Sequence, residues 1–407
     1  MCGRTNRVLP AMKSAAIPSL LFFAAATHFL VDAVAGTLNP LWPRLDTHFH
    51  LVAWQNAALF FLWQMTTSVS QFVFGVYGDR FHSRWLLWAG PLAALVCLGS
   101  IGLTHSPWIL AGLLIISGLG IAAFHPEAAA LAGSCAPEHR SRAMSIFTMG
   151  GFLGQAVGPM YSGSMVEWRG LPGLVWGIGA GLILAAIIAP LGRGMFTQPV
   201  KQAKNHVRLS DLFRGRTRDL LLVLVIGSLR IIAASGVPVL LAYLLKTRHI
   251  GAAETGIVQS TFMLGIGLGG FACATLLRPH HERPILWLGP LLATPVLLVI
   301  PWTGGLLLST LVCVTGLLLG ISLPVLISYG QQLMPDSQRI ASSITMGVSW
   351  GIGGGIVSII LAISQYTGRF EPAFISFAVA TALSSALCIW LPRVRAVPTP
   401  QPVHALQ

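Results

Sequence analysis

Twelve apolar runs, each near the length of a bilayer-crossing helix, constrain this chain more than any other feature. They cover residues 14–42, 51–77, 85–104, 107–132, 142–165, 171–195, 219–245, 252–277, 284–300, 304–333, 340–366 and 372–391. A helix needs about 20 mostly apolar residues to span the hydrocarbon core. Only 9% of the 407 residues are charged, against about 25% in soluble domains. No water-soluble core of this size hides that much apolar surface, so the runs predict an all-α membrane protein. The 44 glycines and 25 prolines suit a membrane bundle, where small residues let helices approach and neighbours satisfy backbone freed by proline.

One long polar stretch, 196–218, interrupts the series and carries Lys201, Lys204, Arg208, Arg214, Arg216 and Arg218. It reads as a cytoplasmic linker, giving an N-terminal six-helix half over 1–195 and a C-terminal six-helix half over 219–407 that ends in a short cytoplasmic tail. With the N-terminus placed inside, 19 of the 25 Lys and Arg fall in inside segments and 5 in outside ones, with Arg230 left within a span. Basic residues accumulate on the cytoplasmic side, so both termini are expected there, in a multi-pass protein of a bacterial-type inner membrane. The formal net charge of +13 is then topogenic and gives no reason to expect a nucleic-acid partner. Membrane lipid is the expected surroundings; contact of the basic linker with anionic headgroups is one reading of its charge, and plain topogenic charge is the favoured one. The six cysteines form no CxxC pair, and neither a metal nor a cofactor is expected. There is no HExxH or Walker loop and no soluble catalytic domain, which sets an embedded enzyme or sensor well behind a transporter.

The halves share a pattern. Arg142, Ser145, Thr148, Met149, Gly150 and Gly154 recur as Arg339, Ser342, Thr345, Met346, Gly347 and Gly351. Two six-helix repeats with a site between them are a transporter architecture. After the second run stands Gly75-Val-Tyr-Gly-Asp79-Arg80, then Arg84. Gly75 would permit tight packing, and Asp79 would cap the next helix or pair with a base across the halves in one conformation only; position and spacing favour this gating reading over an ordinary topogenic loop. In the fifth run, Gly154 and Gly158 share a face and Pro159 bends the helix beside them. Generic helix packing explains that as well.

Ionisable groups at membrane depth are costly and mark function by default. His28 and Asp32, four residues apart, share a face of the first helix and form a pair able to exchange protons near neutral pH. His28 lies roughly 18–20 Å from the inside end, and Arg230 lies about as deep in the seventh helix. The expectation is that the two face each other across a central cavity, with Arg230 holding an anion or pairing with Asp32. Glu127, about 30 Å from the outer end of its helix, is a candidate proton carrier or an inside-facing cap. His125 stands about 200° from it on a straight helix, with Pro126 between. Gln64, Gln71, Gln155, Gln259 and Trp350 are candidates to line the cavity, Gln155 also to touch substrate, and ordinary interhelical hydrogen bonding accounts for each equally well.

The segments Thr27-His28-Phe-Leu-Val-Asp32, Phe124-His125-Pro126-Glu127 and Ser145-Ile146-Phe147-Thr-Met-Gly150-Gly151 together resemble the fosmidomycin resistance protein family, a branch of the major facilitator drug exporters. The Gly75–Arg84 loop resembles that superfamily's inside-loop signature, and the fifth-helix glycines resemble its motif associated with exporters and antiporters. The resemblance implies a major facilitator fold working by alternating access, proton-coupled antiport driven by the proton gradient, and efflux of a small drug or metabolite, functional as a monomer. Proton coupling would fall to Asp32, Glu127, His28 and His125, and substrate binding to Arg230, His28 and Gln155. Gating would fall to Gly75, Asp79, Arg80, Arg84, Gly154, Gly158 and Pro159. The family's named substrate is a phosphonate, an anion that His28 and Arg230 would suit. An importer of a metabolite anion on the same fold is the alternative.

Overall fold

A computed structural model describes residues 16–80, 84–135, 140–193, 195, 217–276, 282–334 and 343–392. These form twelve long helical rods. In the first half they are α1 (Ala16–Gly36), α2 (Ala53–Gln64, continued through Ser70–Arg80), α3 (Leu86–Gly99), α4 (Pro107–Cys135), α5 (Arg140–Arg169) and α6 (Trp176–Ile188). In the second they are α7 (Thr217–Thr247), α8 (Ala252–Leu276), α9 (Glu282–Val299), α10 (Gly305–Gly320 and Leu323–Leu333), α11 (Ser349–Thr367) and α12 (Glu371–Leu387). α10 breaks ahead of Pro324, which offers no N–H to continue the ladder. The first apolar run does not continue as one helix to residue 42. It ends at Gly36, and a separate short helix, Trp42–His48, caps the bundle. The expected linker lies outside the described residues except for Thr217 and Arg218, which already belong to α7.

The chain reverses at each helix, so α1 and α7 start from one end of the bundle, here the linker end, and finish at the far end. Exposed tryptophans band both ends. Trp54, Trp108, Trp168, Trp176 and Trp302 ring the far end, and Trp85, Trp287 and Trp390 the linker end. That is the arrangement of a protein whose aromatic rings sit at two membrane–water interfaces. Eleven of the twelve rods are long and apolar enough to span. The exception is α5, whose glycines and hydroxyl residues lower its hydropathy.

α5 is nevertheless central, because small residues bring it against two partners. A Cβ on Gly154 or Gly158 would collide with the α1 backbone, at Phe29 and at Ala33 and Gly36. Further along, Gly163 of α5 and Gly256 of α8 meet backbone to backbone across the halves. The second seam between halves joins α2 to α11. Each rod carries a π-helical turn there, Met65–Val69 in α2 and Ser343–Val348 leading into α11. Gly75, by contrast, has no tight contact among the described residues. A Cβ there would lie 3.5 Å from Ser343 Oγ and 4.0 Å from Pro126 Cβ, which is ordinary contact.

Hydrogen bonds that join the halves, among the described residues, gather toward the far end. Lys246 of α7 donates to the Pro43 carbonyl at 2.9 Å and to Thr47 Oγ1 at 2.8 Å, both on the short helix. Gln365 of α11 donates to Asp46 at 3.2 Å, Asn56 of α2 bonds the Tyr243 hydroxyl of α7, and Glu167 accepts the Ala253 N–H at 2.9 Å. The far end is therefore closed in this conformation.

Candidate functional site

Three helices of the first half build one buried polar cluster. α1 supplies His28 and Asp32, 7% and 5% exposed. The Asp32 carboxylate faces both histidines, with His28 Nε2 3.3 Å from Oδ2 and His125 Nε2 of α4 3.2 Å from Oδ1. Gln155 Nε2 of α5 donates to Oδ2 at 3.1 Å. The far nitrogens of both rings are anchored on backbone. His28 Nδ1 lies 2.9 Å from the Phe147 carbonyl and His125 Nδ1 2.8 Å from the Ile121 carbonyl. The His28 ring also stacks on Phe147 at 4.1 Å, with 18° between the planes. Packing and hydrogen bonds thus fix both imidazoles.

Local sequence explains why these groups can meet. The i, i+4 spacing puts His28 and Asp32 on one face of α1. Gly151 leaves room for them: a Cβ there would fall 2.5 Å from the His28 ring and 2.7 Å from Asp32 Oδ2. Pro126, following His125, removes an N–H from the α4 ladder. The two imidazole nitrogens and a carboxylate oxygen lie within 4.8 Å of one another, a donor set of the kind that can hold a small cation. The separations of 3.2 and 3.3 Å are close to hydrogen-bond lengths, so the three groups meet directly.

Other expected site residues fall elsewhere. Arg230 does not face Asp32. It is 1% exposed and points into the second half, donating to the Leu286 carbonyl of α9, to the Ser322 carbonyl at 3.4 Å and to Cys388 Sγ at 3.3 Å. Its Nε has no partner among the described residues. The reason is rotational: position 230 lies on the side of α7 turned toward α9, α10 and α12. Glu127 is not in the cluster either. It stands near Arg84 at the linker end, where burial pulls the Arg84 guanidinium down from its usual range and the Glu127 carboxylate works against that shift. The Asp79 and Arg80 side chains lie outside the described residues. Gly154, Gly158 and Pro159 lie on the α1 and α8 seams, and Gln155 serves Asp32. Gln64 packs under Gly354 of α11, Gln71 bonds within its own helix to Thr67, and Gln259 donates to the Pro238 carbonyl at 2.7 Å.

The far-end bonds have little warning in the sequence. Asp46, Tyr243, Lys246, Gln365 and Phe370 border a crevice of 490 Å³ between the halves. Burial pushes the Asp46 carboxyl up, while Lys246 and the Gln365 amide pull it back. A scatter of charges in otherwise short outer loops is the one signal of them.

Comparison with known proteins fits this architecture. A family model described as Major Facilitator Superfamily matches residues 21–358. The chain is similar to the uncharacterized MFS-type transporter YfnC of Bacillus subtilis (strain 168), 24% identical over 82% of this chain and 83% of that one. It is similar also to the fosmidomycin resistance protein of Escherichia coli (strain K12), 23% identical over 84% of this chain and 85% of that one. The crystal structure of a point variant of the E. coli fucose:proton symporter FucP superposes with a TM-score of 0.64 at 17% identity, covering 94% of this chain and all of that one.

Proposed function

The chain belongs to the Major Facilitator Superfamily and is a multi-pass membrane transporter, and we propose that it is a proton-coupled antiporter that exports a small drug or metabolite by alternating access. The observation that carries this reading is the His28–Asp32–His125 cluster, a buried group whose charge can change, set where α1, α4 and α5 meet. A charge buried in a membrane bundle is expensive unless it is used, and imidazoles titrate near physiological pH. With both termini cytoplasmic, the closed far end makes this conformation one sealed toward the outside of a bacterial inner membrane. Opening it requires Lys246, Gln365 and Tyr243 to release the first half. The transporter works as a monomer, with the proton gradient as its driving force and no cofactor.

The substrate class follows from the relative that resists fosmidomycin, so fosmidomycin and other phosphonates are the first probes. Electrostatics favours a second reading for anions. Deprotonated, the cluster has a net negative charge and suits a donor-bearing or cationic group. Protonated on both rings it has a net positive charge and attracts an anion together with its protons, which is co-transport and import. With Arg230 turned away, no other described cation on α1, α4 or α5 offsets that sign.

Direction of proton movement separates the two. In inverted vesicles energised to an acid lumen and read with a pH-sensitive dye, antiport predicts that added fosmidomycin drives protons out of the lumen. In vesicles without a gradient, co-transport predicts that it carries protons in. Substrate movement with no proton movement in either setting contradicts proton coupling.

A further inference from the structure

From the anchoring of the two imidazoles we infer that the cluster binds two exchangeable protons, one on His28 Nε2 and one on His125 Nε2, while Asp32 stays an anion between them. This deepens the proposed proton coupling and rests on it only for the claim that these protons are the ones transported.

The argument is one of donors and acceptors. A carbonyl oxygen only accepts. His28 Nδ1 at 2.9 Å from the Phe147 carbonyl and His125 Nδ1 at 2.8 Å from the Ile121 carbonyl must therefore each bear hydrogen. A neutral ring has one N–H, so in the neutral state both Nε2 atoms would present lone pairs. Each Nε2 faces a carboxylate oxygen of Asp32, at 3.3 and 3.2 Å. Two lone pairs at that distance repel. A proton on each Nε2 turns both contacts into charge-assisted hydrogen bonds. The third partner of Asp32, Gln155 Nε2 at 3.1 Å, is also a donor. With both rings protonated Asp32 faces three donors and no acceptor, and an imidazole is a stronger base than a carboxylate, so the carboxylate is the component that does not take the proton.

Nothing else described as packed on the cluster competes. α3 and α6, which flank α1, and α2, which packs on α4, carry no Asp, Glu, His, Lys or Arg within Leu86–Gly99, Trp176–Ile188 and Ala53–Gly75. α5 offers Gln155, Phe147 and Gly151 here. On α4 Glu127 acts on Arg84, and on α7 Arg230 is engaged in the second half. Each release breaks one Nε2–H bond, leaves the electron pair on the ring and gives the proton to water. The cluster charge steps from +1 through zero to −1, and one turnover can exchange two protons.

The test is nitrogen NMR of histidine-labelled full-length protein in lipid, which reads the protonation of each ring nitrogen and needs no substrate. Loss of signals in His28→Gln and in His125→Gln makes the assignment. The expected result is two imidazolium rings at acid pH that both lose the Nε2 proton on raising pH, leaving neutral rings protonated at Nδ1. His48 is an internal contrast, because its Nε2 lies 3.1 Å from the Thr104 carbonyl and should keep hydrogen there. The wild-type spectrum decides even if a variant does not fold, since neutral Nδ1–H rings are the unusual tautomer. A neutral His28 or His125 ring protonated at Nε2, or an infrared band of a protonated carboxyl that disappears in Asp32→Asn, would overturn the inference. Two such protons without proton-coupled transport would leave this assignment standing and retire the antiport reading.

Discussion

α1 and α7 occupy equivalent places in the two halves, and each buries an ionisable side chain at about the same depth, yet the surroundings differ in kind. His28 meets an acid, and that acid also meets a second histidine and an amide, all held from three helices. Arg230 meets two backbone carbonyls and a thiol, with no carboxylate among its described partners. The first set can gain and lose charge with little movement. The second holds a permanent charge, since a guanidinium stays protonated in proteins, and ties α7 to α9, α10 and α12. The difference teaches that depth alone does not define a coupling site. A buried charge serves exchange when its partners can share a proton, and serves rigidity when they can only accept.

This contrast can be broken at either end. The largest effect is expected from Asp32→Ala, which leaves two imidazoles without their anion. Proton-coupled flux should fall to the level of vesicles lacking the protein, and breaking such a buried pair costs about 3–5 kcal/mol, seen as a lower unfolding midpoint. Arg230→Ala should act on stability first, removing about 2–5 kcal/mol as for a large buried side chain, while the protein that remains folded keeps its proton-to-substrate ratio. Gly151→Ala sharpens the comparison without touching a titratable group. The added methyl displaces His28 and Asp32, so the pH profile of transport should shift, with about 1–3 kcal/mol lost to overpacking. Cys388→Ser is the mildest change. It replaces one acceptor for Arg230 with another, and both flux and stability should stay within about 1 kcal/mol of the parent, a hydrogen bond's usual net worth.

Much of the fold was legible in the residues, because lipid demands long apolar helices and little else produces them. α5 shows where hydropathy falls short: it counts among the twelve apolar runs of the sequence, yet it alone of the twelve rods is not apolar enough to be picked out as a span. The spacing of His28 and Asp32 was sufficient to pair them. The rotation of α4 was not readable: residues 125 and 127 point to opposite sides, and only packing decides that His125 turns to Asp32 and Glu127 toward Arg84. Arg230 failed for a related reason. α7 is apolar all round, so its pattern says nothing about which side faces a cavity. The π turns in α2 and α11 leave no mark in composition, and the role of the short helix Trp42–His48 depends on partners some 200 or more residues distant in sequence.

The most direct measurement compares substrate-driven proton flux in inverted vesicles containing Asp32→Asn with that in vesicles containing Arg230→Met, each shown to hold folded protein, with fosmidomycin as the first probe. If the changing charge resides in the α1–α4–α5 cluster, Asp32→Asn abolishes proton movement and Arg230→Met retains it at the parental proton-to-substrate ratio. Parental flux in Asp32→Asn, or loss of coupling in a folded Arg230→Met, would place the changing charge elsewhere and contradict the account.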